Sequence, residues 1–543
     1  MKCPSRLPHT LAALAFAGSV CAQYGGAAKS FEDGLARYKE TSARLPFVHH
    51  TDGRLKLATT HDARALRILA DDYTGAKDYP EFTKYTIARM LEQHFNRAEF
   101  VPVLAALRQA NDKPVDAWMW MQTLVIQTDR VSDAEAVKIA TTDKNVLHRA
   151  VAILALGESR SGRIKEAIVQ NCVEFPKRDS DRAMLLGAMS GTLWELRRQV
   201  NDENYREAIT AYIGLLAPEV GLDHTMKVQM ARHLQWILKG PALFVNPDPW
   251  LAILSHGDVK QAPQHETRAA SRFFSVETEG ERFVYVVDMS NSMCRPIEPG
   301  AKPASAITGP RPKKKKGALL DESDIPWNLI TTRWDLAREE IRISLSRLGD
   351  DKYFAVVWFG DDAGTLDATK GLVKATRANI VRAMDELDAI KPGPKDPVRA
   401  PDGQLRGQTN MHAGLRWAFS LSRKGFVEHA AYVDPDVLTE GCDTIFLLSD
   451  GAPSWDEFSK VDKNYGEGRA IIEAEYKVEV APPKEILYHG PYDEGIWLVE
   501  DLRRMNSLRR IRMHCVGLGE ANMSLLEELA RMGHGEAIAV GKK

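Results

Sequence analysis

Five oxygen-bearing side chains carry the chemistry of this sequence. Asp288, Ser290 and Ser292 lie within Asp288-Met289-Ser290-Asn291-Ser292, Thr409 lies in Gly407-Gln408-Thr409-Asn410 ahead of a helical stretch, and Asp450 ends the apolar run TIFLLSD. Two carboxylates and three hydroxyls offer oxygen donors only. Such a set can ligate a hard divalent cation, can assist hydrolysis through a cation-activated water, or can simply cap the helices that follow. The sequence has no HExxH, no GxSxG, no Walker-type glycine loop and no pair of CxxC motifs. An enzyme reading therefore lacks a recognisable nucleophile and base.

Buried strands have to bring these residues together. FVYVVD (Phe283 to Asp288), YFAVVWF (Tyr353 to Phe359), TIFLLSD (Thr444 to Asp450) and IRMHCVGLG (Ile511 to Gly519) are short apolar runs rich in β-branched and aromatic residues, the pattern of parallel strands covered on both faces. Helical stripes lie between them in WDLAREEIRISLSRL, TRANIVRAMDELDAI, MHAGLRWAFSL and WLVEDLRRMN, and SLLEELARM follows the last. Alternation of this kind predicts a doubly wound α/β domain over 280–543, whose ligands bind beyond the carboxyl ends of the strands. Asp288, Thr409 and Asp450 all fall at those ends.

The order Asp-x-Ser-x-Ser, distant Thr, distant Asp resembles the metal-ion-dependent adhesion site of von Willebrand factor A domains. The resemblance runs from about Glu281 to the C-terminus and takes in FVYVVDMSNSM, the strand-end FGD at Phe359 to Asp361, LLSDGAP, and CVGLG followed by LLEELARMGHG. It implies that Ser290, Ser292 and Thr409 ligate one divalent cation directly, Mg²⁺ first with Mn²⁺ or Ca²⁺ as alternatives, while Asp288 and Asp450 balance its charge. It further implies that an open coordination position takes a carboxylate from a protein partner. Asn291 stands where glycine is common in the family. Met293-Cys294-Arg295 offers no acids for a second cation, so one ion is expected.

The first half of the chain, 30–255, is helical by period. Leu147, Ala150, Val151 and Leu154 form one stripe, with Asp143 ahead of it as a cap, and Ile164, Ala167, Ile168 and Cys172 form the next. Further stripes, including DARALRILADDY and MKVQMARHLQWILK, make this an all-α, solenoid-like region resembling HEAT-type repeats. Trp118, Trp120 and Met121 read as core residues. Two readings of function remain besides partner binding through the cation: a helical scaffold with a structural α/β domain, and a metal-assisted hydrolase.

Across 543 residues, enough for two to four domains, hydrophobic content of 44% and a net charge of -2 give no global excess of charge. No nucleic-acid partner is expected. Lys2 and Arg6 followed by the apolar Leu11 to Val20 and Val20-Cys21-Ala22 read as a signal peptide over 1–22. Its apolar run is too short to span a membrane, so a periplasmic, cell-surface or secreted protein is expected, not an integral membrane one. Cys172, Cys294, Cys442 and Cys515 follow no metal or redox spacing, and the strand reading sets Cys294 and Cys442 at opposite ends of one sheet. Free or buried thiols are expected. Three long segments, from Cys294 to Trp334, ahead of Thr409, and from Ser454 to Glu494, are each attached to a loop bearing one of the five residues and are expected on one face. The first contains Lys313, Lys314, Lys315 and Lys316, which read as a solvated run or a contact for an acidic partner.

Overall fold

The computed structural model describes residues 27–42, 47–75, 132–240, 244–257, 271–303, 318–390, 407–428, 434–462 and 486–541, with a few isolated positions besides. The proposed signal segment, Lys313 to Lys316, Trp118 and Trp120 lie outside the described residues, as do most of the segment before Thr409 and the middle of the one after Ser454; Met121 is buried. The chain divides into two compact units. One comprises Met1–Asp143, Val151–Arg163 and Asp462–Tyr488, the other Lys144–Ala150, Ile164–Val461 and His489–Lys543.

In the first unit, helices α1 (Phe31–Thr41), α2 (Phe47–Ala58) and α3 (Ala63–Gly75) follow one another, with α4 (Ala134–Thr142) further along. Arg37 on α1 pairs with Asp52 on α2 at 2.8 Å, and Arg54 on α2 with Asp72 on α3 at 2.9 Å. Helix α5 (Val146–Glu158) corrects two details of the sequence reading. Asp143 closes the end of α4 instead, and Asn145 is the residue whose side chain accepts from the Leu147 N–H at 2.9 Å. Leu154 is only partly covered, whereas Ala152, Ile153, Ala155 and Leu156 are buried. A helix buried on most sides has no single apolar stripe.

The second unit carries helices α6 (Ile164–Val173), α7 (Asp179–Glu195), α8 (Glu203–Gly214), α9 (His224–Leu238) and α10 (Pro247–His256), then the α/β part. The strands of its seven-stranded sheet are β1 (Arg282–Asp288), β2 (Tyr353–Phe359), β3 (Ala363–Thr365), β4 (Val373–Lys374), β5 (Thr444–Ser449), β6 (Arg512–Leu518) and β7 (Ala537–Val540). The sheet order is β7-β6-β5-β1-β2-β3, with β4 also on β2. Every pair from β7 to β2 is parallel, whereas β3 and β4 join antiparallel at the edge. The sequence reading did not include β3, β4 and β7, because runs of two to four residues are too short to show a strand period.

Alternate residues along each strand build two cores. Phe283, Tyr285, Val287, Phe354, Phe446 and Leu448 face α11 (Arg333–Ser346) and α12 (Arg377–Ala389). Val284, Val286, Ala355, Val357, Ile445 and Leu447 face α13 (Met411–Ser420), α15 (Gly495–Asn506) and α16 (Met523–Met532), with α14 (Pro435–Glu440) preceding β5. Burial on both faces explains why these strands read as unbroken apolar runs. Among the described residues Cys172, Cys294, Cys442 and Cys515 form no disulfide, and no helix among them is long and apolar enough to cross a membrane.

The amino ends of the strands are fastened to α9. Arg232 donates to the carbonyls of Asp443 (3.2 Å) and Glu279, and its guanidinium stands 3.3 Å from the Asp443 carboxylate. Asp443 also accepts from the backbone N–H groups of Glu281 and Arg282. Burial works to raise the Asp443 pKa, but Arg232 and Arg282 outweigh it and hold the carboxyl below its usual value. Removing one member of a buried pair strands its partner, at a cost of about 3–5 kcal/mol. Arg232→Met is therefore expected to lower the urea midpoint markedly at neutral pH; an unchanged midpoint would show that the helical layer holds to the sheet without this pair.

Candidate functional site

Parallel pairing brings the carboxyl ends of β1, β2 and β5 to one edge. Asp288, the last residue of β1, lies opposite Phe359 on β2, and Val287 opposite Leu448 places it beside Ser449 on β5. The chain then turns sharply, because the Met289 N–H donates to the Phe359 carbonyl at 2.7 Å and Asp288 accepts from the Ser290 N–H at 2.9 Å. The Ser290 and Ser292 hydroxyl oxygens are 2.8 Å apart. Ser292 donates to one oxygen of Asp450 at 2.6 Å. Four of the five sequence-predicted residues are thus joined in one continuous chain of hydrogen bonds.

Thr409 reaches the same edge through its backbone. The Gly407 carbonyl accepts from the Asn291 N–H at 3.2 Å. Gly407 has a φ of +76°, and a Cβ there would meet the Asp361 carboxylate at 2.3 Å, so this close turn requires glycine. Asp361 in turn accepts from the Gln408 N–H at 2.7 Å. Thr409 and Ser454 exchange bonds, the Thr409 N–H to the Ser454 hydroxyl and the Ser454 N–H to the Thr409 carbonyl, both at 3.1 Å. Asn410 caps α13 by accepting from the Ala413 N–H at 3.0 Å. In the first turn of α13, buried His412 meets Asp501 of α15 at 2.7 Å and stacks on Tyr492, which fixes the start of the helix that follows Thr409. No hydrogen bond joins the Thr409 hydroxyl to the other four residues, which share bonds directly.

Three partners were not legible as site residues. Ser449 donates to the second oxygen of Asp288 at 2.7 Å. Arg333 donates to the other oxygen of Asp450 at 2.6 Å and, through Nε, to Glu298 at 3.0 Å. Arg333 opens α11, whose N-cap Thr332 accepts from the Asp335 N–H, with Asp335 reaching back to complete a capping box. A cation in the first turn opposes the helix dipole, and that misplacement is the sequence signal for a carboxylate partner.

The electrostatics of the two carboxylates differ. Asp288 is fully buried; desolvation first, then the Asp450 charge, push its carboxyl up to about 7, while the bonds from Ser290 and Ser449 pull the other way. Arg333 neutralises Asp450 directly.

The donor set fits a hard cation. Neighbouring ligands around an octahedral ion with bonds of 2.0–2.1 Å stand about 2.9 Å apart, and the Ser290–Ser292 and Ser292–Asp450 oxygens stand at 2.8 and 2.6 Å. Asp288 adds a buried carboxyl whose ionisation a nearby cation would favour. Among the described residues no group of three or more His, Cys, Asp or Glu side chains is arranged to hold a metal, so a cation site here depends on the hydroxyls.

No protein-family model matches the sequence. No curated protein matches it either. Among solved structures, a von Willebrand factor type A protein from Catenulispora acidiphila is similar over 49% of this chain and 40% of its own, at 16% identity and a TM-score of 0.26. The PilB minor pilin from Streptococcus sanguinis is similar over 49% of this chain and 59% of its own, at 13% identity and a TM-score of 0.26. The chain thus spans less than two thirds of the length of either.

Because the folded Asp288 carboxyl titrates above its ordinary value of 3.8, its contribution favours the fold when protonated. In cation-free protein that contribution is fully present below about pH 4, declines as pH rises, and is lost above about pH 7. Urea unfolding in chelator should show stability falling across this window by up to about 1.4 kcal/mol per pH unit from this group. Asp288→Asn should flatten that slope. An unaltered slope in the variant would place the titrating group elsewhere.

Proposed function

We propose that this chain is an exported, non-enzymatic binding protein whose α/β part is a von Willebrand factor A-type domain with a metal-ion-dependent adhesion site. The observation that carries the reading is the hydrogen-bonded chain Asp288–Ser290–Ser292–Asp450 at the carboxyl edge of a parallel sheet, with Ser292 its one half-buried member. Ser290 and Ser292 would hold one divalent cation, Mg²⁺ by its preference for oxygen, with Thr409 completing the hydroxyl set from the adjoining loop. Asp288 and Asp450 would supply the compensating charge. Once bound, the ion offers an open position to a carboxylate on a protein partner.

Neutral hydroxyls leave more of the ion's charge available to an incoming anion than carboxylate ligands would, which favours capture of a partner's acid. The helices over 30–255 would then act as a HEAT-like scaffold, and the lysines from Lys313 to Lys316 as a secondary contact for acidic surfaces.

Calorimetric titration of Mg²⁺ and Mn²⁺ into chelator-treated protein is expected to reveal one site that a folded Ser290→Ala/Ser292→Ala variant loses. Protons and the cation compete for Asp288, so the affinity should weaken by up to about tenfold per pH unit below pH 7. Partner capture should disappear in chelator. Capture that survives chelator would transfer recognition to the helical region, and identical titrations for the two proteins would remove the cation site.

A further inference from the structure

Arg333 is placed where a helix least tolerates a cation, at the first residue of α11, and it is turned inward. Its guanidinium donates to Asp450 at 2.6 Å and, through Nε and a terminal nitrogen, to Glu298. The backbone around it is shaped for this arrangement. Gly519 has a φ of +54°, and a Cβ there would stand 2.4 Å from the Arg333 nitrogen and 2.1 Å from the Glu298 carboxylate. The ends of the inserted segment that leads to Arg333 close on each other, Ile297 N–H to Thr331 carbonyl at 3.2 Å and Arg333 N–H to Arg295 carbonyl at 3.0 Å. Asp450 is therefore divided between two claims: one oxygen faces Arg333 and the other accepts from Ser292.

We propose, resting on the cation reading above, that Arg333 is a positioning residue that sets the strength of the cation site: it orients Asp450 toward the serines and competes with the ion for its charge. Like charges on one carboxylate oppose each other, and a low-dielectric surrounding strengthens the opposition. The site would then be a weak one that fills and empties with cation concentration, and Glu298 would govern how much of the guanidinium remains for Asp450. A purely structural ion pair makes the opposite prediction, because its loss would disorder Asp450 and weaken the ion.

The test is Mg²⁺ titration by calorimetry on the full chain, with thermal unfolding in chelator and in Mg²⁺. Arg333→Gln is expected to lower stability in chelator, yet bind Mg²⁺ about tenfold more tightly or better and show a larger Mg²⁺-induced rise in Tm. Arg333→Lys, which keeps the charge, should return affinity toward that of the parent. Glu298→Gln should weaken Mg²⁺ binding when Arg333 is present and have far less effect in the Arg333→Gln background; the first of these comparisons, and Arg333→Lys, stand even if Arg333→Gln fails to fold. Equal or weaker binding by folded Arg333→Gln, at a site that Ser290→Ala/Ser292→Ala abolishes, overturns the proposal and leaves the cation site standing. Absence of Mg²⁺ binding in the parent and in every variant overturns the cation reading and this inference with it.

Discussion

A carboxylate taken out of water has to find either a proton or a positive charge, and the second unit faces this requirement at both ends of its sheet. At the amino ends, Asp443 meets it fully: two guanidiniums and two backbone N–H groups surround it, and its carboxyl stays below the ordinary range. At the carboxyl ends, Asp288 is equally buried, but its neighbours are two hydroxyl-bearing residues and a second acid, and its carboxyl rises to about 7. The same fold thus supplies cations to one buried aspartate and hydroxyls to the other. An unsupported acid at a sheet edge is a feature that stability alone does not call for, which gives a functional reading its physical ground.

The rest of the unit holds that edge in place. Alternating residues of β1, β2 and β5 build apolar cores on both faces, so the strand ends are anchored from above and below and the loops leave from fixed points. The loops are then tied to one another through backbone bonds: Met289 to Phe359, Asn291 to Gly407, Ser454 to Thr409. Loops joined in this way hold side chains at ligand spacing without needing a rigid segment of their own. Helix α9 bonds to the sheet through Gln229, Arg232 and Gln235, which meet Arg509, Asp443 and Arg512 before or at the strand starts. Those attachments lie at the end of the sheet away from Asp288.

Much of this was legible in the sequence because the signals were local and physical. Continuous β-branched runs announced four buried strands, and the polar residues at their ends announced an edge where oxygen donors gather. Asp288, Ser290, Ser292 and Asp450 prove to be in contact for that reason. Short edge strands such as Ala363–Thr365 carry too few residues to show a period, and Asp143 and Asn145 compete as caps in a stretch where either could serve. Arg333 and Glu298 were missed because they come from an inserted segment, and the pairing of Arg333 with both Glu298 and Asp450 depends on how that segment closes. Only the awkward position of an arginine after Thr332 in a capping box gave a local hint.

The composition of the edge also bears on what it can do. Hydrolysis assisted by a divalent ion needs the ion held in place while a water is activated on it, and for Mg²⁺ one or two carboxylates usually do the holding. The acids nearest this edge are engaged elsewhere: Asp361 accepts from the Gln408 N–H and stands against Gly407, and Glu298 is held by Arg333. Asp288 and Asp450 remain, and Arg333 draws on the second of these. On the cation reading proposed above, a hydroxyl-rich cradle with one carboxyl pushed up to about 7 and another shared with an arginine would retain a cation weakly and leave its charge underbalanced. On that proposed reading such an ion would gain most from an anion brought from outside, which favours capture of a partner's carboxylate over driving water at a bond.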